Sequence, residues 1–478
     1  DAISKMATVD FNTDFLSLLK SRTPLVFLTC NEEIRLKIYL KHLSIANGYK
    51  IYVWDCYRGL IDLMSGKSVT GIAEDITDEN IILEKIIELT EKETDQIKSY
   101  KRQDVKGIIY VLLDYNRFLL DAEPDLERRL KTFANTNSIS HIVMTGSSFQ
   151  MTEGLEDYIS VIDFPYPSEN EIKTHLWEMV DAVSRQGKLP GLKQKTKKKE
   201  EEIIRASSGL TIKEVGMALS KSLVNKKDFE ISSILQEKKQ IIKKKGLLEY
   251  YEPTVSIDDI GGLKNLKTWL SRRKVAFSNE AREYGLPAPR GTICLGIPGV
   301  GKSLTAKAAA SLFEIPLVRL DFGALFGGLV GESERNVREV LKLAEAISPA
   351  CLWLDELEKG VSGMASSGQT DGGTTSRVIS TFLTWMQEKT APVFMFATAN
   401  NHEAIPPELL RRFDEVFFID LPSYGERKDI FKVMFKKYKQ DCEVFDIKNL
   451  ASKSEHFSGA EIEKVIVNAL FEGFYDKK

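Results

Sequence analysis

Gly296-Ile297-Pro298-Gly299-Val300-Gly301-Lys302-Ser303, preceded by the apolar run Gly291–Leu295 and followed by the helix-forming Leu304–Phe313, decides the reading of this chain. A strand that passes through a glycine-rich turn into a helix makes an anion site. Glycine reaches backbone conformations closed to other residues, so successive N–H groups can converge on phosphate oxygens. Lys302 adds a cation, Ser303 a hydroxyl suited to Mg²⁺, and the positive end of the helix starting at Leu304 faces the same anion. The cofactors expected from this stretch are ATP and Mg²⁺, with Gly296, Ile297, Pro298, Gly299, Val300, Gly301, Lys302, Ser303 and Leu304 around the phosphates.

Two further strand ends complete the pattern. Cys351-Leu-Trp-Leu-Asp355-Glu356 is an apolar strand that ends in two acids about fifty residues beyond Lys302. That placement assigns Asp355, with Ser303, to magnesium, and Glu356 to polarising the water that attacks the γ-phosphate. The strand Val393–Ala399 ends at Asn400, whose amide can orient the same water.

Outside this region, length and composition set the frame. A chain of 478 residues exceeds one ordinary hydrophobic core, and two domains are expected. Apolar residues at 43% and charged residues at 28% describe a packed fold and not a disordered one. With 66 basic and 69 acidic residues the net charge is −3, so nothing draws the molecule to nucleic acid or to an anionic membrane. No apolar run is long enough to span a bilayer, and Asp1–Met6 lacks a secretory core, so a soluble intracellular protein is expected. A start at Asp1 leaves room for a preceding targeting segment. Cys30, Cys56, Cys294, Cys351 and Cys442 are scattered without a C-x-x-C pair and read as reduced, buried thiols.

Short β-branched runs alternate with longer amphipathic segments in both halves, the pattern of parallel α/β sheets. The expected strands are Leu25–Thr29, Lys50–Trp54, Gly107–Leu113, His141–Thr145 and Ser160–Asp163, then Gly291–Leu295, Pro316–Asp321, Ala350–Leu354, Val393–Ala397 and Glu415–Asp420. Val161–Asn170 is similar to Phe418–Arg427, and Ala206–Val215 to Phe457–Val465. An internal duplication follows, each half an α/β core with a helical lid. Lysine-rich Leu235–Pro253 reads as a helix stopped by Glu252-Pro253, and Lys193–Glu202 as a solvated loop. The expected divisions are residues 1–170, 171–250, 251–422 and 423–478.

With these residues placed, Val255–Lys478 resembles the AAA family of ATPases, in the branch that opens on Asp258-Asp259-Ile260-Gly261-Gly262-Leu263. The resemblance implies a P-loop NTPase core of five parallel strands plus a helical lid, preceded by a degenerate AAA-like α/β domain. It also makes Ile260 and Gly261 candidate adenine contacts, and Arg411 and Arg412 candidate arginine fingers reaching a neighbouring subunit's γ-phosphate. Tyr284–Gly291, Leu325–Glu334 and Gly373–Arg377 are similar to the AAA type found as a hypothetical chloroplast reading frame (ycf) in algal plastids and in cyanobacteria. That likeness implies a plastid or cyanobacterial setting, with a role in photosynthesis or carbon uptake.

The chain departs from the family in three places. Leu329-Val330-Gly331 stands where threading members carry an aromatic pore residue, and an aliphatic tip grips peptide less strongly. The finger segment Leu409-Leu410-Arg411-Arg412-Phe413-Asp414 lacks the two residues that separate the family's arginines. In the first half, Thr29-Cys30-Asn31-Glu32-Glu33-Ile34 has neither glycine nor lysine, and Gly107–Asp114 keeps one acid followed by Tyr115, so this half is read as unable to hydrolyse ATP. Two functions stay open: a ring-forming, hexameric ATPase that remodels a partner protein, and a slow nucleotide-gated adaptor. A nucleic-acid motor lacks the basic, aromatic groove it would need.

Overall fold

A computed structural model describes residues 9–69, 78–98, 106–120, 123–135, 139–147, 149, 153–186, 189–246, 248–252, 254–277, 279–320, 332–361 and 372–476. The chain divides into two compact units, Asp1–Glu230 and Ile231–Lys478.

The first unit is built on a six-stranded sheet. Its strands are β1 (Leu25–Thr29), β2 (Tyr49–Asp55), β3 (Gly59–Asp62), β4 (Gly107–Leu112), β5 (Ser140–Gly146) and β6 (Ile159–Asp163), in the spatial order β3-β2-β4-β5-β1-β6. Every pairing is parallel except β2 with β3. Alternation along each strand splits the core in two. Leu25 and Phe27, Ile108 and Tyr110, Ile142 and Met144 pack on one face, while Val26 and Leu28, Ile109 and Val111, and Val143 pack on the other. Both faces are apolar because helices cover both, which parallel connections require. Helix α1 (Glu33–Asn47) follows β1. Beyond the sheet, α2 (Glu169–Arg185) and α3 (Ile212–Lys226) belong to a helical bundle, each opened by a reciprocal capping box, Ser168 with Glu171 and Thr211 with Glu214.

The second unit repeats this plan. Helix α4 (Ile231–Lys245) leads into β7 (Leu248–Tyr251), then β8 (Gly291–Gly296), β9 (Leu317–Leu320), β10 (Ala350–Leu354), β11 (Val393–Ala399) and β12 (Glu415–Ile419), in the order β12-β8-β11-β10-β9-β7. Reversing the first list gives β6-β1-β5-β4-β2-β3. Each sheet therefore has five parallel strands in the same order with one antiparallel strand at the same edge, although β3 follows its partner β2 in the chain whereas β7 precedes β8. Helix α5 (Lys302–Phe313) leaves β8 and packs Ala306, Ala309, Ala310 and Phe313 against Cys294, Cys351, Phe394 and Phe396. Its small residues let it lie close to the sheet. Helices α6 (Tyr424–Lys437) and α7 (Gly459–Tyr475) form the lid around Ile430, Phe431, Phe435, Ile462 and Ile466, again with capping boxes at Ser423–Glu426 and Ser458–Glu461.

Four readings need correction. Each sheet has six strands, not five, because β3 and β7 are too short to announce themselves. Leu235–Pro253 is helical only to Lys245, after which Leu248–Tyr251 alternates buried and open side chains and pairs with β9. Residues Leu192–Lys198 and Glu200–Ser207 are helices, not a solvated loop, since Leu192, Thr196, Ile203 and Ile204 are buried beneath the charges. Cys56 is exposed, whereas Cys294 and Cys351 are buried and all five thiols are free. Leu329-Val330-Gly331 and the strand end at Asp321 lie outside the described residues.

Candidate active site

The turn after β8 is folded as the glycines demand. Gly301 caps α5 with φ 93°, in the left-handed region that side chains resist, and the space beside its α-carbon is open. Lys302 Nζ donates to the carbonyls of Gly296 (2.6 Å) and Ile297 (2.7 Å) and to Asn400 Oδ1 (3.0 Å). The ammonium is thus held at the rim by acceptors that a phosphate oxygen can replace. Burial pushes its pKa below the ordinary value, while Glu358, Asp355 and Glu356 act to restore it.

Ser303 Oγ lies 3.2 Å from Asp355 Oδ1, which also accepts from Thr398 Oγ1 at 2.7 Å. A hydroxyl and a carboxylate converging on one point are the hard oxygen donors that Mg²⁺ prefers. Among the described residues no cluster of three metal-ligating side chains exists, so the ion would be completed by phosphate oxygens and water. Glu356 follows with φ 52°, and its amide donates to Thr398 Oγ1 at 3.1 Å. Its carboxylate pairs with Lys359 Nζ at 2.5 Å. Asn400 is fixed by Glu358, whose Oε1 accepts from the backbone N–H (3.2 Å) and from Nδ2 (2.9 Å), leaving Oδ1 to face Lys302.

These groups open into one cavity of about 450 Å³, within the usual range for a small-molecule site. It is lined by Pro298–Leu304, Asp355, Glu356, Thr398 and Asn400, by Asp259, Ile260 and Gly261, and by the lid residues Ile430, Met434, Lys437, Gly459, Ala460 and Glu463. A side chain at Gly261 would meet the backbone of Ile430 at 2.6 Å, so core and lid touch here without room to spare. The lid is tied to the core twice more. Ala460 N–H donates to the Gly299 carbonyl (3.1 Å), and Leu263 N–H to Glu426 Oε1 (3.3 Å).

Of the residues marked in the sequence, all but Arg411 and Arg412 are gathered at this cavity or at its rim. The two arginines stand between the short helix Pro407–Leu410 and β12, Arg411 exposed and Arg412 half-buried, and neither lines the cavity of its own chain. Thr398, Glu358, Lys359 and the lid residues Ile430, Met434, Lys437 and Glu463 were missed. Thr398 could have been found, because it lies two residues before Asn400 on the same strand.

The matching turn in the first unit carries ion pairs in place of glycine and lysine. Arg35 on α1 donates to Glu32 Oε2 (2.9 Å), to both oxygens of Glu171 (2.7 and 3.1 Å) and to the Pro165 carbonyl (2.5 Å), and lies 4.5 Å over the Phe164 ring. Glu32 Oε1 accepts from Ile212 N–H at 2.6 Å. The lid helices α2 and α3 are therefore pinned to a turn that holds carboxylates where an anion site would need donors. Burial raises the Glu32 pKa, with Arg35 opposing it. After β4, Asp114 has φ 53° and its amide donates to Thr145 Oγ1 (3.3 Å), the arrangement of Glu356 with Thr398. Asp114 is the counterpart of Glu356, and Leu113, which is buried, stands at the position of Asp355.

Comparison with known proteins agrees with this architecture. Residues 292–421 match the ATPase family associated with various cellular activities (AAA), 11–164 the N-terminal domain of SpoVK-like AAA ATPases and 170–245 their second domain. Three relatives share the name "Uncharacterized AAA domain-containing protein ycf46". That of Trieres chinensis is 39% identical over 97% of this chain and 89% of its own length. That of Guillardia theta is 38% identical over 99% and 90%, and that of Pyropia yezoensis 37% over 98% and 91%. The chain belongs to the AAA ATPase family.

Proposed function

We propose that the second unit binds ATP with Mg²⁺ and hydrolyses it, while the first unit binds no nucleotide. The observation that carries this is the convergence of Lys302, Ser303, Asp355, Glu356 and Asn400 on one cavity, which Ile260, Ile430 and Met434 also line. Lys302 and the turn's N–H groups would hold the β- and γ-phosphates. Ser303 and Asp355 would hold Mg²⁺, which when bound neutralises charge on the phosphates. Ile260 and Gly261 would meet the adenine. Glu356 polarises water and Asn400 orients it, and Lys359 must release Glu356 for that role.

Arg411 and Arg412 are proposed as fingers acting on a neighbouring copy, within a hexameric ring. Their position away from their own cavity supports this reading. ATP turnover would then remodel or regulate a partner protein, in a plastid or a cyanobacterium and in connection with photosynthesis, as the resemblance to ycf-type proteins suggests. Among the described residues no helix is long and apolar enough to cross a membrane. The Glu356–Lys359 pair favours the second reading, a slow nucleotide-gated adaptor.

Steady-state hydrolysis by the oligomer separates the two. Glu356→Gln is expected to abolish turnover while keeping ATP bound, and Lys359→Ala to raise the rate. Mixing Glu356→Gln chains with Arg411→Ala/Arg412→Ala chains should restore part of the activity at mixed interfaces. Parental-rate hydrolysis by Glu356→Gln would remove its role, and no rescue in a proven oligomer would remove the fingers.

A further inference from the structure

The two oxygens of Asp355 face different partners. Oδ1 meets Ser303 and Thr398, whereas Oδ2 lies 3.3 Å from Arg319 Nη2 on the neighbouring strand β9. Arg319 Nη1 is also 3.3 Å from Glu249 Oε2 on β7, where the two residues stand directly opposite in the antiparallel register. The guanidinium is further fixed 5.3 Å from the Trp353 ring centroid, and its buried Nε has no hydrogen-bond partner. Tyr251 braces the same edge, donating to Glu249 Oε2 at 2.8 Å and meeting Trp353 edge-on at 5.7 Å. No step assigned above uses Arg319.

We propose that Arg319 is a positioning residue for the metal-binding carboxylate, and that Glu249 on β7 sets how strongly it acts, so that this edge strand tunes the affinity of the site for Mg²⁺. The proposal rests on the Mg²⁺–ATP reading of the cavity. By engaging Oδ2, Arg319 fixes the rotation of the carboxylate and turns Oδ1 towards Ser303. Its charge also opposes a second cation at the same carboxylate. Glu249 divides and offsets that charge. Because Arg319 and Glu249 are 34% and 49% exposed, water screens part of the effect, and shifts of about twofold to fivefold are expected rather than orders of magnitude.

The test is a Mg²⁺ titration of ATP binding to the full chain, with ATP affinity in excess chelator as the check that each variant is folded. Glu249→Gln should raise the half-saturating Mg²⁺ about twofold to fivefold. Arg319→Gln should lower it while slowing turnover, a split that simple loss of packing does not produce. In the Arg319→Gln background, Glu249→Gln should have no further effect. An unchanged Mg²⁺ requirement in Glu249→Gln, or an equal change in both backgrounds, overturns the coupling. A parental chain that binds ATP without any response to Mg²⁺ overturns the metal reading itself, and the coupling with it.

Discussion

Arg35→Met tests whether the first unit's cleft is closed by its own charges. The substitution keeps an unbranched apolar stem but removes the guanidinium from Glu32, Glu171, the Pro165 carbonyl and the Phe164 ring. Arg35, Glu32 and Glu171 are only 7%, 9% and 10% exposed, so water cannot take over the missing bonds. Breaking one partner out of such a buried set costs about 3–5 kcal/mol, against about 0–1 kcal/mol for a surface pair. With a urea slope of about 2–3 kcal/mol per M, the unfolding midpoint of the first unit should fall by about 1–2.5 M. Pulsed hydrogen exchange across a urea series, followed on peptides from β1 and β4, reads that unit alone. The deficit should shrink as pH falls, because burial already raises the Glu32 pKa and loss of Arg35 raises it further, so the carboxyl is neutralised in the folded state sooner. Replacing Glu32 and Glu171 by Gln and Met alongside Arg35→Met should recover most of the loss, since no charge is then stranded. A shift under about 0.3 M for the single variant would place the cluster among ordinary surface pairs and refute the reasoning.

Glu426 is held below the usual carboxylate range although burial works against its charge, because Ser423 and the Leu263 amide donate to it. Its contribution, about 1 kcal/mol, is present above the unfolded pKa of 4.5 and is lost as pH falls through the lower folded value, so the Tm gap between parent and Glu426→Gln should be full at pH 6 and should close in more acidic solution. A Cβ on Gly296 would come 2.0 Å from the Ile419 carbonyl oxygen on β12. Gly296→Ala should therefore part β12 from β8, cost about 1–3 kcal/mol and weaken ATP binding, and an unchanged Tm would deny the close approach. Asn400→Ala removes an amide that touches both Lys302 and Glu358, and should slow hydrolysis about tenfold to a thousandfold with a much smaller change in ATP affinity.

The central parallel strands were readable because each is an uninterrupted apolar run bounded by polar turns, and the turn at Gly296–Ser303 was readable because glycine, lysine and serine are each needed at fixed spacing. β7 was not, since Leu248-Glu249-Tyr250-Tyr251 is four residues long and continues a lysine-rich helical pattern; its strand conformation is imposed by pairing with β9. The helices at Leu192–Lys198 and Glu200–Ser207 were hidden by charge, with Leu192, Thr196, Ile203, Ile204, Ala206 and Ser207 marking a buried side. In the first unit the sequence shows Asp114 only as the one acid kept at the strand end. Its left-handed backbone and its bond to Thr145 place it one position on, at the counterpart of Glu356, and only tertiary structure carries that information. Residues of the lid, such as Met434 and Glu463, reach the cavity through the packing of α6 and α7 and bear no local mark of it.

The central claim is that one of two similar units is a nucleotide site and the other is not. Equilibrium binding of ATP with Mg²⁺ to the full-length Glu356→Gln chain, at chain concentrations well above Kd, measures it directly. The account predicts one ATP per chain, none after Lys302→Ala, and one still bound after Arg35→Met. Two ATP per chain in the parent background, or one that survives Lys302→Ala, would contradict it.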